Sequence, residues 1–174
     1  MNAILEGGEV REAACLLVEE AIARHMTCGT AESCTGGLVA GAITAVAGSS
    51  AVLRGGVVSY DPAVKHEVLG VAQEVIDDPS RGVVSSDCAA QMCRGARRVL
   101  GCDVAVSITG IAGPGGAEPG KPVGTVWFGV ASGGGERTTL KHFEGNRDEV
   151  RYQAVLYALK LLREAIVESS HLAG

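Results

Sequence analysis

The sequence Thr30-Ala31-Glu32-Ser33-Cys34-Thr35-Gly36-Gly37-Leu38 decides how this chain folds. Residues 26–31 have the pattern of a short strand of small residues, and residues 37–47 are rich in Ala, Val, Leu and Ile, as in a helix. The polar cluster therefore lies at a strand-to-helix turn. Gly36 and Gly37 let a ligand approach the backbone and expose amide groups at the helix start, where an anion or an oxyanion can bind. A Ser or Thr helix cap followed by close-packed glycines explains the same residues, and this stretch alone leaves both interpretations open.

Strands and helices alternate along the rest of the chain. The pattern predicts helices over residues 10–25, 62–69, 85–100 and 146–169, and strands over residues 54–60, 102–109, 123–131 and 137–143. Residues 71–84 are predicted to be an irregular loop, and residues 110–122 a long Gly/Pro loop. Strands separated by helices and ending in a hairpin predict an α/β fold with a mixed sheet and helices on both faces. One domain covering residues 1–174 is expected from the length.

Composition limits the classes of function. A net charge of −5 argues against a general nucleic-acid binder, because no basic excess offsets the phosphates, although a local basic pocket for one phosphate is still allowed. The six cysteines form no Cys-x-x-Cys pair and the four histidines are scattered, so no metal site is expected. The cysteines indicate reduced thiols in a cytoplasmic protein. No apolar run approaches the ~20 residues that span a bilayer, so no membrane partner is expected.

A second group of polar residues follows the strand predicted at residues 54–60. Tyr60 ends this strand, and Lys65 lies near the start of a helix that Asp61 and Pro62 open. The helix dipole and partial burial both disfavour the ammonium form of a lysine in this position. Such a lysine can take a proton from a serine, as in Ser-Lys hydrolases, and Tyr60 could orient the amine or relay the proton. A solvated surface lysine is the alternative.

Three neighbours in the first turn are potential nucleophiles: Ser33, Cys34 and Thr35. No histidine lies in a recognisable position to activate Cys34. Lys65, in contrast, offers Ser33 a base. The sequence therefore favours Ser33 over Cys34.

The third polar group begins at Thr109, where a buried strand opens into glycine-rich backbone over residues 110–116 that could cradle a phosphate. A plain connecting loop is the alternative, although loops of this length are often functional. Residues 115–121 (GGAEPGK) fit the first part of a phosphate-binding-loop pattern. Pro122, however, stands where a nucleotide triphosphatase needs Ser or Thr for magnesium, and a strand follows instead of a helix. A nucleotide triphosphatase is therefore disfavoured.

Two arginines stand one turn apart near the start of the last predicted helix. Arg147 and Arg151 could clamp a phosphate or a carboxylate from one helix face. Alternatively they form surface ion pairs with Asp148 and Glu144, and Arg147 has a structural or subunit-contact role. The sequence leaves these possibilities open.

The three loops together carry long motifs. They are residues 30–37 (TAESCTGG), Ser59 and Tyr60 with Lys65 and residues 69–71 (LGV), and residues 107–114 (SITGIAGP) with residues 121–127 (KPVGTVW). In this order and spacing the motifs resemble the CinA C-terminal family, which includes the bacterial nicotinamide-nucleotide amidases. The resemblance runs from about the first predicted helix to the last. One departure is residues 83–87 (VVSSD), which differ from the commoner Val-Ser-Glu pattern.

The resemblance implies a fold, an activity and a set of site residues. The fold would be three-layer α/β/α with a mixed, mostly parallel sheet, in a homo-oligomer. The activity would be hydrolysis of nicotinamide mononucleotide to nicotinic acid mononucleotide and ammonia, without a metal or cofactor. By position, Ser33 would be the nucleophile, Lys65 the base and Tyr60 the aide to Lys65. The residues implied to hold the substrate or the tetrahedral oxyanion are Glu32, Thr35, Gly36, Gly37, Thr109, Gly110, Ala112 and Gly113.

A non-catalytic member of the same family is the competing hypothesis. It would keep the nucleotide pocket and serve as a binding or regulatory module. Ammonia release from the mononucleotide separates the two hypotheses, because the module would bind the nucleotide without turnover.

Overall fold

A computed structural model of the chain describes residues 8–170. The described strands are β1 Cys28–Glu32, β2 Leu53–Val58, β3 Val104–Gly110, β4 Thr125–Ser132 and β5 Gly135–His142. The described α-helices are α1 Gly8–Ala23, α2 Leu38–Thr44, α3 Pro62–Glu67, α4 Gln73–Ile76, α5 Ser86–Leu100 and α6 Arg147–Ser170. None of these helices combines the length and the apolar character needed to cross a membrane.

The five strands form one sheet in the order β2-β1-β3-β4-β5. β1 pairs in parallel with both β2 and β3, whereas β3 with β4 and β4 with β5 are antiparallel pairs. β4 therefore runs against the other four strands. The predicted mixed, mostly parallel sheet and its terminal hairpin are confirmed.

Helices cover both faces of the sheet, which confirms the three-layer α/β/α prediction. α2 and α6 pack on one face with α1 outside them, and α5 packs on the other. The chain reaches β2 from β1 through α2, and reaches β3 from β2 through α3, α4 and α5. β2 lies on one side of β1 and β3 on the other, so the chain crosses from one side of β1 to the opposite side. The carboxyl end of β1 is therefore the topological switch point, where open α/β sheets bind ligands.

The capping residues predicted at the helix ends have the expected geometry. The side chain of Asp61 accepts a hydrogen bond from the amide of Ala63 at 2.8 Å, and Ser85 accepts one from Cys88 at 3.2 Å, as N-caps do. Gly101 ends α5 with a φ of 59°, a left-handed conformation that glycine adopts without strain. One prediction was wrong: the irregular loop at residues 71–84 contains the short helix α4.

Gly95 lets the segment after α3 dock against α5. A Cβ at this position would lie 1.9 Å from the carbonyl oxygen of Leu69. We expect Gly95→Ala to destabilise the protein by about 1–3 kcal/mol although alanine is the better helix former. Gly8→Ala is the matched control, because an added Cβ there meets nothing within 4 Å. Urea unfolding checks the prediction, and an unchanged midpoint for Gly95→Ala would contradict it.

Candidate active site

Ser33 lies at the carboxyl end of the central strand β1, held from both sides. Its amide donates to the carbonyl oxygen of Ile108 in β3 at 2.9 Å. On the other side, the amide of Ser59 donates to the carbonyl oxygen of Glu32 at 2.8 Å. Ser33 itself is partly exposed, whereas Cys34 and Thr35 are buried. The turn therefore presents one accessible hydroxyl at the switch point of the sheet.

Lys65 points into the molecule from α3 and meets Ser33. Its side chain is buried, with 1% of its surface exposed, so the surface-lysine alternative is wrong. Its Nζ lies 3.1 Å from Oγ of Ser33 and donates to the carbonyl oxygen of Ser59 at 2.5 Å. The two groups that the sequence placed on neighbouring strand ends are therefore within proton-transfer distance.

Burial gives Lys65 the properties of a base. Desolvation lowers the pKa of its ammonium below the ordinary value of 10.5, and the nearby negative charge of Asp61 opposes this shift only in part. Burial rather than the helix dipole is the principal cause, since α3 is only six residues long. A lysine that loses its proton more readily is neutral over a wider pH range, and the neutral amine can accept the Ser33 proton.

Burial disfavours the reactive form of Cys34. Burial raises the pKa of its thiol to about 12, and the nearby carboxylate of Glu32 adds to this effect. The thiolate is the nucleophilic form of cysteine, and at neutral pH this side chain stays protonated. The geometry therefore agrees with the sequence in favouring Ser33.

Glu32 holds the first turn from beneath. Its fully buried carboxylate accepts hydrogen bonds from the amides of Gly37, Val39 and Ala40 at 2.9, 3.1 and 2.9 Å. The hydroxyl of Thr30 donates a fourth bond at 3.1 Å. Because protein donors occupy both carboxylate oxygens, we assign Glu32 a positioning role in place of the substrate contact expected from the sequence.

We expect Glu32→Gln to lower the stability by at least about 2 kcal/mol, because the amide nitrogen of Gln would face backbone N–H groups that need acceptors. Catalysis should fall as well, since these amides begin the helix after Ser33. Glu19→Gln is the matched control, because it makes the same chemical change on an exposed part of α1. Thermal unfolding and turnover of both variants check the prediction, and equal melting temperatures would exclude this role for Glu32.

The two glycines of the turn do not offer free amides. Gly36 N–H donates to the carbonyl oxygen of Ser33 at 3.1 Å, and Gly37 N–H is bonded to Glu32. Both residues adopt positive φ angles of 61° and 94°, so their structural role is to shape the turn. The expectation that they donate to an anion is corrected accordingly. Thr35 differs, because its buried Oγ1 has no hydrogen-bond partner within residues 8–170.

Tyr60 and Arg147 meet at the outer edge of the site. Tyr60 is 64% exposed, and its hydroxyl accepts a hydrogen bond from Nη2 of Arg147 at 3.4 Å. Nη1 of Arg147 donates to the carbonyl oxygen of Gly113 at 2.8 Å. Within the described residues, Tyr60 has no hydrogen bond to Lys65, so a direct aide role for Tyr60 has no geometric support. Arg147 instead connects the loop after β2, through Tyr60, to the loop after β3, through Gly113. The sequence did not predict this connection, because the three residues are far apart along the chain.

The third loop contributes backbone and a cavity wall. The hydroxyl of Thr109 donates to the carbonyl oxygen of Val83 at 2.6 Å, which leaves only its lone pairs for a ligand. Gly110 ends β3 opposite Val126. A cavity of about 550 Å³ lies where this loop meets the start of α6. Its lining residues are Ala112, Gly113, Pro114, Val123, Gly145, Asn146, Arg147 and Asp148.

Lys121, from the phosphate-loop-like pattern, does not face this cavity. Its Nζ donates to the carbonyl oxygen of Arg81 at 2.6 Å and lies 3.0 Å from the carboxylate of Glu118. The strand β4 follows it, as the sequence predicted. Both observations agree with the rejection of a nucleotide triphosphatase.

Arg151 stabilises the turn that carries Ser33. Its Nε donates to the carbonyl oxygen of Cys34 at 3.2 Å, and its Nη2 donates to that of Thr35 at 3.4 Å. The ion pair with Asp148, one of the alternatives that the sequence left open, is present at 3.7 Å. Within the part of the chain that the structure covers, no three His, Cys, Asp or Glu side chains are grouped to hold a metal ion.

Comparison with known families identifies the relationship. A family model described as the CinA C-terminal domain matches residues 11–166. The chain belongs to the CinA C-terminal domain family. This result confirms the resemblance inferred from the three motifs.

Relatives of the CinA C-terminal domain are found among sequences and structures. A nicotinamide-nucleotide amidohydrolase PncC of Enterobacter agglomerans is 50% identical over 143 residues, which cover 81% of this chain and 85% of that protein. A CinA-like protein of Anaeromyxobacter dehalogenans is 48% identical over 151 residues, covering 87% of this chain but 36% of that protein. The chain thus spans about a third of the CinA-like relative.

Solved structures of the CinA superfamily share the fold. A crystal structure of a competence-damaged protein superfamily member from Klebsiella pneumoniae has a TM-score of 0.86 at 37% identity, covering 91% of this chain and 98% of that chain. A competence/damage inducible protein from Agrobacterium tumefaciens has a TM-score of 0.86 at 38% identity, with 91% and 96% coverage. The CinA C-terminal fold is therefore well matched over nearly the whole chain.

Proposed function

We propose that the protein is an amidohydrolase that converts nicotinamide mononucleotide and water to nicotinic acid mononucleotide and ammonia by a Ser-Lys mechanism. The observation that carries this proposal is the 3.1 Å contact between Oγ of Ser33 and the buried Nζ of Lys65. The 50% identity to a nicotinamide-nucleotide amidohydrolase supports the choice of substrate. Activity at a carboxamide fits the geometry, since a serine beside a neutral amine can attack an acyl carbon.

In the proposed reaction Lys65 accepts a proton and returns it once during acylation of Ser33 and once during hydrolysis of the acyl-enzyme. Ser33 Oγ attacks the carboxamide carbon while its proton passes to Nζ of Lys65, giving a tetrahedral intermediate. This intermediate collapses, the C–N bond breaks, and Lys65 returns the proton to the departing ammonia. A water molecule then attacks the acyl-serine ester, with its proton taken by Lys65 and given back to Ser33 Oγ as the acid leaves.

Two features support binding of a mononucleotide. Thr35 follows Ser33 by two residues in the sequence, and its hydroxyl has no partner among the described residues. We propose that this hydroxyl donates to the developing oxyanion. The exposed guanidinium of Arg147 lies beside the 550 Å³ cavity, where it can meet the substrate phosphate. A cavity of this size is within the usual range for small-molecule sites. We propose that the phosphate lies towards Arg147 and the carboxamide towards Ser33.

Ammonia release tests the proposal. The purified protein is incubated with nicotinamide mononucleotide and a metal chelator, and ammonia and nicotinic acid mononucleotide are quantified together. We expect both products in equal amounts without added metal. Calorimetric binding of the mononucleotide with no product after long incubation would overturn the amidase and favour the non-catalytic module.

A further inference from the structure

Ser59 carries a buried hydroxyl that the fold leaves unused. Within residues 8–170, buried side-chain polar atoms without a hydrogen-bond partner occur at Thr35, Ser59 and Arg163. Ser59 is 0% exposed, so its hydroxyl also lacks bulk water. An unpartnered buried hydroxyl costs free energy, and most such groups in native proteins have a partner. The cost at Ser59 therefore calls for a functional explanation.

The backbone of Ser59 is fixed against both members of the proposed catalytic pair. Its amide donates to the carbonyl oxygen of Glu32, the residue before Ser33, at 2.8 Å. Its own carbonyl oxygen accepts from Nζ of Lys65 at 2.5 Å. The free hydroxyl thus belongs to the residue that already holds the amine.

The number of N–H groups on Lys65 changes during the proposed reaction. A neutral amine has two N–H groups and one lone pair, whereas an ammonium has three N–H groups and no lone pair. The structure supplies two partners for Nζ, the Ser33 hydroxyl and the Ser59 carbonyl oxygen. The ammonium formed when Lys65 takes the Ser33 proton therefore has three N–H groups but only these two partners, so its third N–H needs an acceptor.

Other groups facing Lys65 do not supply that acceptor. Cys34 and Cys88 lie nearby, but burial raises the pKa values of their thiols to about 12 and about 11, so both stay neutral. Asp61 contributes a nearby negative charge, but among the described residues it forms no ion pair with Lys65, and one of its carboxylate oxygens caps α3. Thiols are weak acceptors, so a hydroxyl oxygen is the better partner.

We infer that the Ser59 hydroxyl is the acceptor reserved for the Lys65 ammonium, which makes Ser59 a positioning residue that acts through Lys65. While Lys65 is neutral, the Ser59 hydroxyl has no hydrogen-bond partner among the described residues. After proton transfer it accepts the additional N–H, stabilises the charged lysine and keeps it aimed at Ser33. This inference rests on the proposed function only for the roles of Ser33 and Lys65, and not for the identity of the substrate.

Ser107 provides a matched control. It is also a serine with 0% exposure, but its hydroxyl donates to the carbonyl oxygen of Ala89 at 2.6 Å. Removing the Ser107 hydroxyl removes a stabilising hydrogen bond, whereas removing the Ser59 hydroxyl removes the free-energy penalty of an unpartnered buried group. We therefore expect Ser107→Ala to lose stability but keep its activity, and Ser59→Ala to lose activity but keep its stability.

The experiment compares Ser59→Ala, Ser59→Cys and Ser107→Ala by thermal unfolding, by steady-state deamidation and by the rate at which a fluorophosphonate labels Ser33. For Ser59→Ala we expect an unchanged or higher melting temperature, kcat and labelling lowered about tenfold or more, and an unchanged KM. Ser59→Cys keeps the volume but not the strong acceptor, so it should behave like Ser59→Ala. Ser107→Ala should melt at a lower temperature and keep its kcat.

Each outcome decides the inference. Wild-type labelling rates in Ser59→Ala or Ser59→Cys would overturn it, and so would a lower melting temperature with an unchanged kcat. If wild-type protein labels at Ser33 but releases no ammonia from nicotinamide mononucleotide, the proposed substrate fails and the labelling rates still test Ser59. If wild-type protein does not label at Ser33, the Ser33–Lys65 pair is not activated and the role of Ser59 falls with it.

Discussion

Ser33→Ala should lower the rate of ammonia release by a factor on the order of 10³ or more, because the variant lacks the oxygen that forms the acyl-enzyme. The fold should remain intact, since Ser33 is partly exposed and its amide, which bonds to Ile108, is kept. Turnover of nicotinamide mononucleotide measures the first effect and thermal unfolding the second. Mass spectrometry should also show a fluorophosphonate adduct on the wild type and none on Ser33→Ala.

Cys34→Ala is the matched control for this prediction. It removes the neighbouring thiol, whose pKa of about 12 keeps it protonated, and it changes the buried volume only slightly. We expect Cys34→Ala to retain most of the activity. Loss of activity in Cys34→Ala with full activity in Ser33→Ala would reverse the assignment of the nucleophile.

Lys65→Met should reduce turnover by about 10²–10⁴-fold, the usual contribution of a general base. Methionine has a similar length and fills the buried site without an amine. The wild-type rate should rise with pH through the folded-state pKa of Lys65, since only the neutral amine accepts the Ser33 proton. Lys160→Met, an exposed substitution on α6, should keep both the rate and its pH profile. Full activity in Lys65→Met would remove the base from the mechanism.

The same variant should also change the pH dependence of stability. Burial lowers the pKa of Lys65 in the folded protein below 10.5, its ordinary value in the unfolded chain. Between these two pKa values the unfolded state binds more protons, so the Lys65 contribution to the free energy of unfolding increases as pH rises. The melting temperature of the wild type minus that of Lys65→Met should therefore increase with pH in this window. A difference that stays constant across this window would contradict burial of the amine.

The alternation of strands and helices was enough to predict the sheet and its layers. Caps such as Asp61 and Ser85 are local signals, so the helix starts were well placed. The helix α4 was missed because it has only four residues beside Asp77, Asp78 and Pro79, which favour a loop. Helix periodicity needs more turns than α4 provides.

The sequence predicted only those parts of the site whose positions follow from the parallel direction of neighbouring strands. Ser33 and Lys65 follow neighbouring parallel strands, and the carboxyl ends of such strands meet at one edge. The sequence did not predict where buried side chains point, so Glu32 was expected at the substrate. Tyr60 was expected at Lys65 because the two residues are close in sequence, but the exposed Tyr60 ring contacts Arg147, which is 87 residues away.

The backbone amides of Gly37, Val39 and Ala40 after β1 bind the carboxylate of Glu32, so a side chain of the protein occupies the place that a bound anion could take. The conformational entropy of this turn is therefore lost during folding and not during ligand capture. The position of Ser33, the proposed nucleophile, is therefore set by the fold before a ligand binds. Selectivity among carboxamides should then come from the outer wall around Tyr60 and Arg147, where changes in sequence can alter the choice of ligand without disturbing the reacting atoms.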